Sequence, residues 1–156
     1  MSSQTLSDIA DKDRACIHAT CVAVQGQGLL IVGASGSGKS SLALRMMALG
    51  ADLVADDRVD LRRDEGAVIA DAPPRIAGLI EARGIGLLRA APCGPVALDY
   101  VLDMDQTQPA RLPEPVTMQL LGHYVPLLFG ACVPNLAEAL MQLLRMGRVD
   151  PEWTST

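Results

Sequence analysis

Apolar residues along the first third of the chain come in short runs bounded by turn residues. From Ile17 to Val24 the sequence is apolar and β-branched, and Gly26-Gln27-Gly28 then turns it into Leu29-Leu30-Ile31-Val32. This pattern predicts a hairpin whose second strand is fully buried. Ser40 to Leu49 is apolar on nearly every side, with Arg45 its one charged residue and Gly50 placed as a helix stop. A helix buried over most of its surface is expected. Ala51 to Ala55 reads as a short strand ending in Asp56-Asp57. Arg58 to Ile69 alternates charge with Val and Leu around Asp64-Glu65-Gly66, as a second hairpin would.

Beyond Pro73-Pro74 the pattern breaks up. Gly78 to Leu88 is apolar but punctuated by Gly, which predicts a loop leading into a strand. Val96 to Leu102 is a strand candidate, and Asp103 to Pro115, polar and Pro-containing, is expected as a mobile surface loop. His123 and Tyr124 read as a packed strand end. Asn135 is placed to cap a helix whose Leu136, Leu140, Leu143 and Leu144 share one face, with Gly147 as its stop. The expected organisation is a flexible leader over 1–14, one domain over 15–147 and a tail over 148–156.

Composition narrows the function classes. The chain has 156 residues, 49% of them hydrophobic but only 3% aromatic, so Leu, Val, Ile, Ala and Met must fill the core. A formal net charge of -5 opposes binding to a phosphate backbone, so no nucleic-acid partner is expected. Cys16, Cys21, Cys93 and Cys132 show no metal-site spacing and read as free thiols. No run approaches the roughly 18 apolar residues of a membrane span. A soluble, cytoplasmic protein with no membrane partner is expected.

Gly33-Ala34-Ser35-Gly36-Ser37-Gly38-Lys39-Ser40 fits GxxxxGK[ST] between a strand and a helix. Its glycines permit a backbone that points N–H groups at phosphates, and the helix offers its positive end to the same anion. Lys39 would reach the β and γ phosphates of a nucleotide and the Ser40 hydroxyl would ligate Mg²⁺. Of 13 basic residues only Lys12 and Lys39 are lysines, so a compact ammonium is singled out at the loop. Asp56 and Asp57 stand at the carboxyl end of a buried strand, where α/β sheets place ligands. One could serve Mg²⁺ and the other accept a hydroxyl proton, or both could belong to a solvated turn. His18 is either a hydrogen-bonded structural residue or a catalyst. Glu81 and Arg83 are either an exposed ion pair or part of a loop closing over phosphates, and Arg111 reads locally as a solvated arginine.

Together these features resemble the C-terminal catalytic domain of HPr kinase/phosphorylase. The match lies in the order of a His on the preceding strand, the P-loop, Val54-Ala55-Asp56-Asp57, and Ile80-Glu81-Ala82-Arg83-Gly84-Ile85-Gly86. The resemblance, running from about Ile17 to Met146, implies an α/β fold of the P-loop HPr kinase/PEP carboxykinase type, a mixed sheet with few helices. It implies an ATP- and Mg²⁺-dependent kinase acting on a serine of HPr, the phosphocarrier protein of the sugar phosphotransferase system. His18, Lys39, Asp57 and Arg111 would be catalytic, with Asp57 as base. Ser40, Glu81 and Asp56 would serve the metal, and a homo-oligomer, hexameric in the family, is implied.

The chain departs from the pattern in two places. The few residues before the first strand leave no room for the family's N-terminal domain, so a short form is expected. Leu127 to Asn135 holds no Arg where the family reads Ile-Pro-Val-Arg-Pro-Gly-Arg-Asn, so the reverse, phosphorolytic reaction is expected to be weak or absent. A small-metabolite kinase with 103–115 as its lid, and a nucleotide-binding regulatory module without turnover, are the alternatives.

Overall fold

The computed structural model describes residues 6–149, and within them the chain forms 11 strands and 2 α-helices. The first half holds β1 (Arg14–Ile17), β2 (Thr20–Val24), β3 (Gln27–Val32), α1 (Lys39–Ala48), β4 (Asp52–Ala55), β5 (Val59–Arg63), β6 (Val68–Asp71), β7 (Leu79–Ala82) and β8 (Gly86–Arg89). The second half holds β9 (Val96–Thr107), β10 (Val116–Leu120), β11 (His123–Ala131) and α2 (Leu136–Met146). The result is a mixed α/β sheet with few helices.

Strands β2, β3 and β9 run through the inside of a 9-stranded sheet, with β4 at the edge beside β2. β2 is antiparallel to both of its neighbours, β3 and β4, whereas β3 and β9 run parallel. The far edge of β9 is divided. β6 pairs with its beginning at Val96 and Ala97, and β11 pairs in parallel with its later part from Val101 onward. β6 continues the sheet into β5 and β1, and β11 into β10.

Alternation along the central strands builds two cores. Val22, Val24, Leu29, Ile31, Leu53 and Leu102 face α1 and α2, where they meet Leu42, Met46, Leu140, Met141 and Leu144. Cys21, Ala23, Leu30, Val54 and Val101 face the other way, into a core shared with Ile17, Val59, Leu61, Leu120 and Val125. A strand buried on both faces cannot alternate polar and apolar residues, which is why β2 and β3 read as continuous apolar runs.

Several elements differ from expectation. The first hairpin turns at Gln25-Gly26, and Gln27 and Gly28 already pair with Val24 and Ala23. His18 lies in a bend between β1 and β2 rather than on a strand, because the chain there changes pairing partner from β5 to β3. Gly78 to Leu88 is no loop: β7 and β8 form a separate hairpin, with Gly84 and Gly86 at the turn in positive φ. β9 continues to Thr107, so only 108–115 of the expected surface loop lacks regular structure. The expected packed strand end is instead the start of β11, where Tyr124 is 75% exposed.

Asn135 stands at the N-cap in left-handed backbone and makes no side-chain capping bond, and α2 buries Ala137, Leu140, Met141 and Leu144 with Leu136 and Leu143 only partly covered. In the expected leader, Ser7–Ile9 forms a 3-10 turn, Ile9 is completely buried and Arg14 opens β1. Residues 1–5 of that leader and 150–156 of the tail lie outside the described residues. No helix among the described residues is long and apolar enough to cross a membrane.

Leu30 has no solvent exposure and faces the core that joins the central strands to β1, β5, β10 and β11. Leu30→Ala is expected to cost about 2–5 kcal/mol. Urea unfolding should show a lower midpoint at an unchanged slope.

Candidate active site

Topology gathers the polar residues at one end of the sheet. β3 and β4 finish there at Val32 and Ala55, β9 brings Asp103 opposite Val32, and the antiparallel β2 starts there at Thr20. The carboxyl ends of parallel strands, with their free loops, are the usual place for a ligand in such sheets.

Val32 runs directly into the loop 33–38, and α1 begins at Lys39. A side chain at Gly33 (φ +154°) would lie 2.6 Å from Ser37 Oγ and 3.0 Å from Met104 Cβ, so only glycine closes the loop against β9. Gly38, at φ +97°, is the N-cap of α1. The Ser37 hydroxyl is buried without a hydrogen-bond partner, a spare donor inside a loop that ends at a helix N-terminus. Lys39 is buried, and its Nζ donates to the carbonyls of Gly33 and Ala34 at 2.8 and 3.0 Å. Burial holds its pKa below the usual lysine range, opposed by the charges of Asp105, Asp56 and Asp57.

Asp56 is the hub of the site. It is 5% exposed, and its Oδ1 accepts from Thr20 Oγ1 at 2.9 Å and from Ser40 Oγ at 2.7 Å. Its Oδ2 accepts from the backbone N–H of Glu81 at 3.0 Å. One carboxylate thus ties the ends of β2, α1 and β4 to the β7 hairpin. Asp57, by contrast, is exposed. Its φ is +72°, and the N–H of Arg58 donates across it to the carbonyl of Asp56 at 2.9 Å. This is a γ-turn with positive φ, a rare and strained shape that aims the side chain away from the strand direction. Asp57 Oδ1 meets His18 Nε2 at 3.1 Å.

His18, Thr20, Ser35, Gly36, Gly38, Lys39, Ser40, Ser41, Asp56, Asp57, Glu81 and Arg83 line one cleft of about 280 Å³. The structure therefore brings His18, Lys39, Ser40, Asp56, Asp57, Glu81 and Arg83 together with Ser35, Gly36 and Gly38 of the loop, whereas Gly33, Ala34 and Ser37 do not line the cleft and Arg111 lies elsewhere. That residue is exposed and lines a separate apolar groove with α2, a groove that also takes in most of 127–136. Thr20 and Asp105 escaped the sequence reading. Thr20 is a hydroxyl within an apolar strand, and its spacing from His18 was the available signal. Asp105, whose Oδ2 accepts from the Ala34 N–H at 2.8 Å, follows the carboxyl end of the β3-pairing part of β9, and only that pairing reveals it.

Among the described residues no three His, Cys, Asp or Glu side chains converge as a ready-made metal cage. The oxygens near Ser40 nevertheless suit a hard cation held partly by a ligand's own phosphates. The Ser40 proton points to Asp56, which leaves the hydroxyl oxygen's lone pairs free, and Glu81 lines the same cleft.

Residues 10–93, more than half of the chain, match the family model described as HPr Serine kinase C-terminal domain. The chain belongs to this family. Among curated HPr kinase/phosphorylases, that of Lactobacillus acidophilus is 45% identical over 76 residues, covering 48% of this chain and 24% of the relative. That of Lacticaseibacillus casei is 43% identical over 77 residues, covering 49% and 24%. The matched part thus spans about a quarter of these relatives' length. Among solved structures, the Hpr(Ser) kinase/phosphatase from Coxiella burnetii superposes with a TM-score of 0.72 at 26% identity, covering 83% of this chain and 88% of that one. The HPr kinase fold therefore extends past residue 93, where the family model stops.

Asp56→Ala should leave the Thr20 and Ser40 hydroxyls and the Glu81 amide without their acceptor. It is expected to lower stability by about 2–3 kcal/mol, measured by urea unfolding, while Asp56→Asn, which keeps an acceptor oxygen, should cost less.

Proposed function

We propose that this chain is an ATP- and Mg²⁺-dependent protein kinase that phosphorylates a serine of an HPr-like phosphocarrier protein. The observation that carries the reading is the placement of Asp57, strained and hydrogen-bonded to His18, in the same cleft as Lys39 and Ser40.

The backbone N–H groups of 33–38 and Lys39 would hold the polyphosphate. Ser40 and Glu81 would hold Mg²⁺, with Asp56 fixing Ser40 from behind. When bound, the cation neutralises charge on the transferring group. Asp57 is exposed to an approaching protein and would take the proton from the seryl oxygen, with the His18 Nε2–H donating to its carboxylate to fix its direction. Arg83, already in the cleft, is better placed than Arg111 to face phosphate oxygens. The segment aligned with the family's arginine-bearing stretch lies toward the α2 groove and holds no Arg, which supports a weak reverse reaction. Exposed Leu112, Val116 and Met146 lie in or beside the segments lining that groove and favour association into a homo-oligomer, hexameric by resemblance, in the cytoplasm.

Incubation with Mg-ATP and HPr from the same organism should yield phosphoserine. Lys39→Ala and Asp57→Asn should each lower the rate by about 10²–10⁴-fold. Failure to form phosphoserine while ATP binds would sink the reading. Phosphate added to phosphoserine-HPr should release little or no pyrophosphate.

A further inference from the structure

The Ala34 amide belongs to the loop that would cradle phosphate, and it donates to Asp105 Oδ2 at 2.8 Å. Asp105 is held over the loop by its own strand: its N–H donates to Asp103 Oδ1 at 2.9 Å, and Asp103 is in register with Val32, the last residue before the loop. A phosphate oxygen approaching this amide meets a group of the same charge and the same acceptor chemistry. The surroundings do not offset it. Lys39 and Arg83 are the cations of the cleft and its loop, against the carboxylates of Asp56, Asp57, Glu81 and Asp105.

We propose that Asp105 is a built-in competitor for the phosphate cradle, which sets the affinity for polyphosphate and makes binding depend on a chelating divalent cation. The inference rests on the reading of 33–40 as a phosphate site. A free polyphosphate adds negative charge to a cleft already rich in carboxylates and must displace Asp105. One that arrives with Mg²⁺ carries less net charge and feels less of the opposing field.

Titration calorimetry with inorganic pyrophosphate and with ATP, each in EDTA and in Mg²⁺, tests this. Asp105→Asn keeps an oxygen for the Ala34 N–H and removes only the charge. It should tighten pyrophosphate binding in EDTA by about tenfold, the lower range for a unit charge beside a bound anion. The gain should be smaller in Mg²⁺ and absent for uncharged adenosine. Asp105→Ala, which also removes the acceptor, should tighten binding as well. Thermal melting of both variants checks that each folds.

Unchanged or weaker binding by Asp105→Asn, or weaker binding by Asp105→Ala alone, would make Asp105 a prop for the loop and overturn the proposal. Lys39→Ala distinguishes the two levels. Binding abolished by Lys39→Ala but indifferent to Asp105 overturns this inference and leaves the phosphate site standing. Binding indifferent to Lys39, or absent from both the unmodified protein and Asp105→Asn, overturns both.

Discussion

A carboxylate buried beside the loop 33–38 is the constraint on which the rest of this site depends. Burying an ionised aspartate is costly unless its oxygens are satisfied, and Asp56 is satisfied from three directions at once, by Thr20, Ser40 and the Glu81 amide. Those donors come from β2, α1 and β7, so meeting the electrostatic demand also fixes the relative positions of a strand, a helix and an outlying hairpin. Lys39 lies in the same environment and is held on the loop's own carbonyls, its charge disfavoured by burial and only partly restored by the acids around it. Rigid placement and opposed charges are thus established before any ligand enters.

Asp57 shows the complementary use of the same dipeptide. The first acid is inward and hydrogen-bonded, and the second is turned outward by a strained backbone to meet His18. A regular strand would have alternated the two side chains across the sheet. The γ-turn instead keeps Asp57 on the cleft, and the neighbouring bonds of Asp56 hold the turn in place.

Much of this was legible in the sequence because it depends on local order. The glycines of 33–38, the lysine that follows them and the Asp56-Asp57 pair each carry a meaning set by the elements on either side. Residues whose meaning comes from pairing were not legible. Nothing near Asp105 announces that β9 runs beside β3, and polar Asp103 to Thr107 look like a loop until β11 is seen to pair with them. Gly84 and Gly86 look in the sequence like breaks in order, but they are the turn that allows β7 and β8 to pair. Arg111, catalytic only by resemblance, sits on the α2 groove, because the irregular chain after β9 packs there along with Gln108, Pro109 and Pro113.

The divided edge of β9 has a kinetic consequence. β9 pairs in parallel with β3, some 70 residues earlier, and with β11 as well, and neither contact can be made by a local hairpin. The entropy of closing those long loops must be met before the strand rewards it, which places β9 late in folding. The loop 33–38 closes against Met104 of this strand. During synthesis a nascent chain therefore carries the whole of 33–40 before it has the strand that this loop closes against, and the shape of the loop waits on residues near 105.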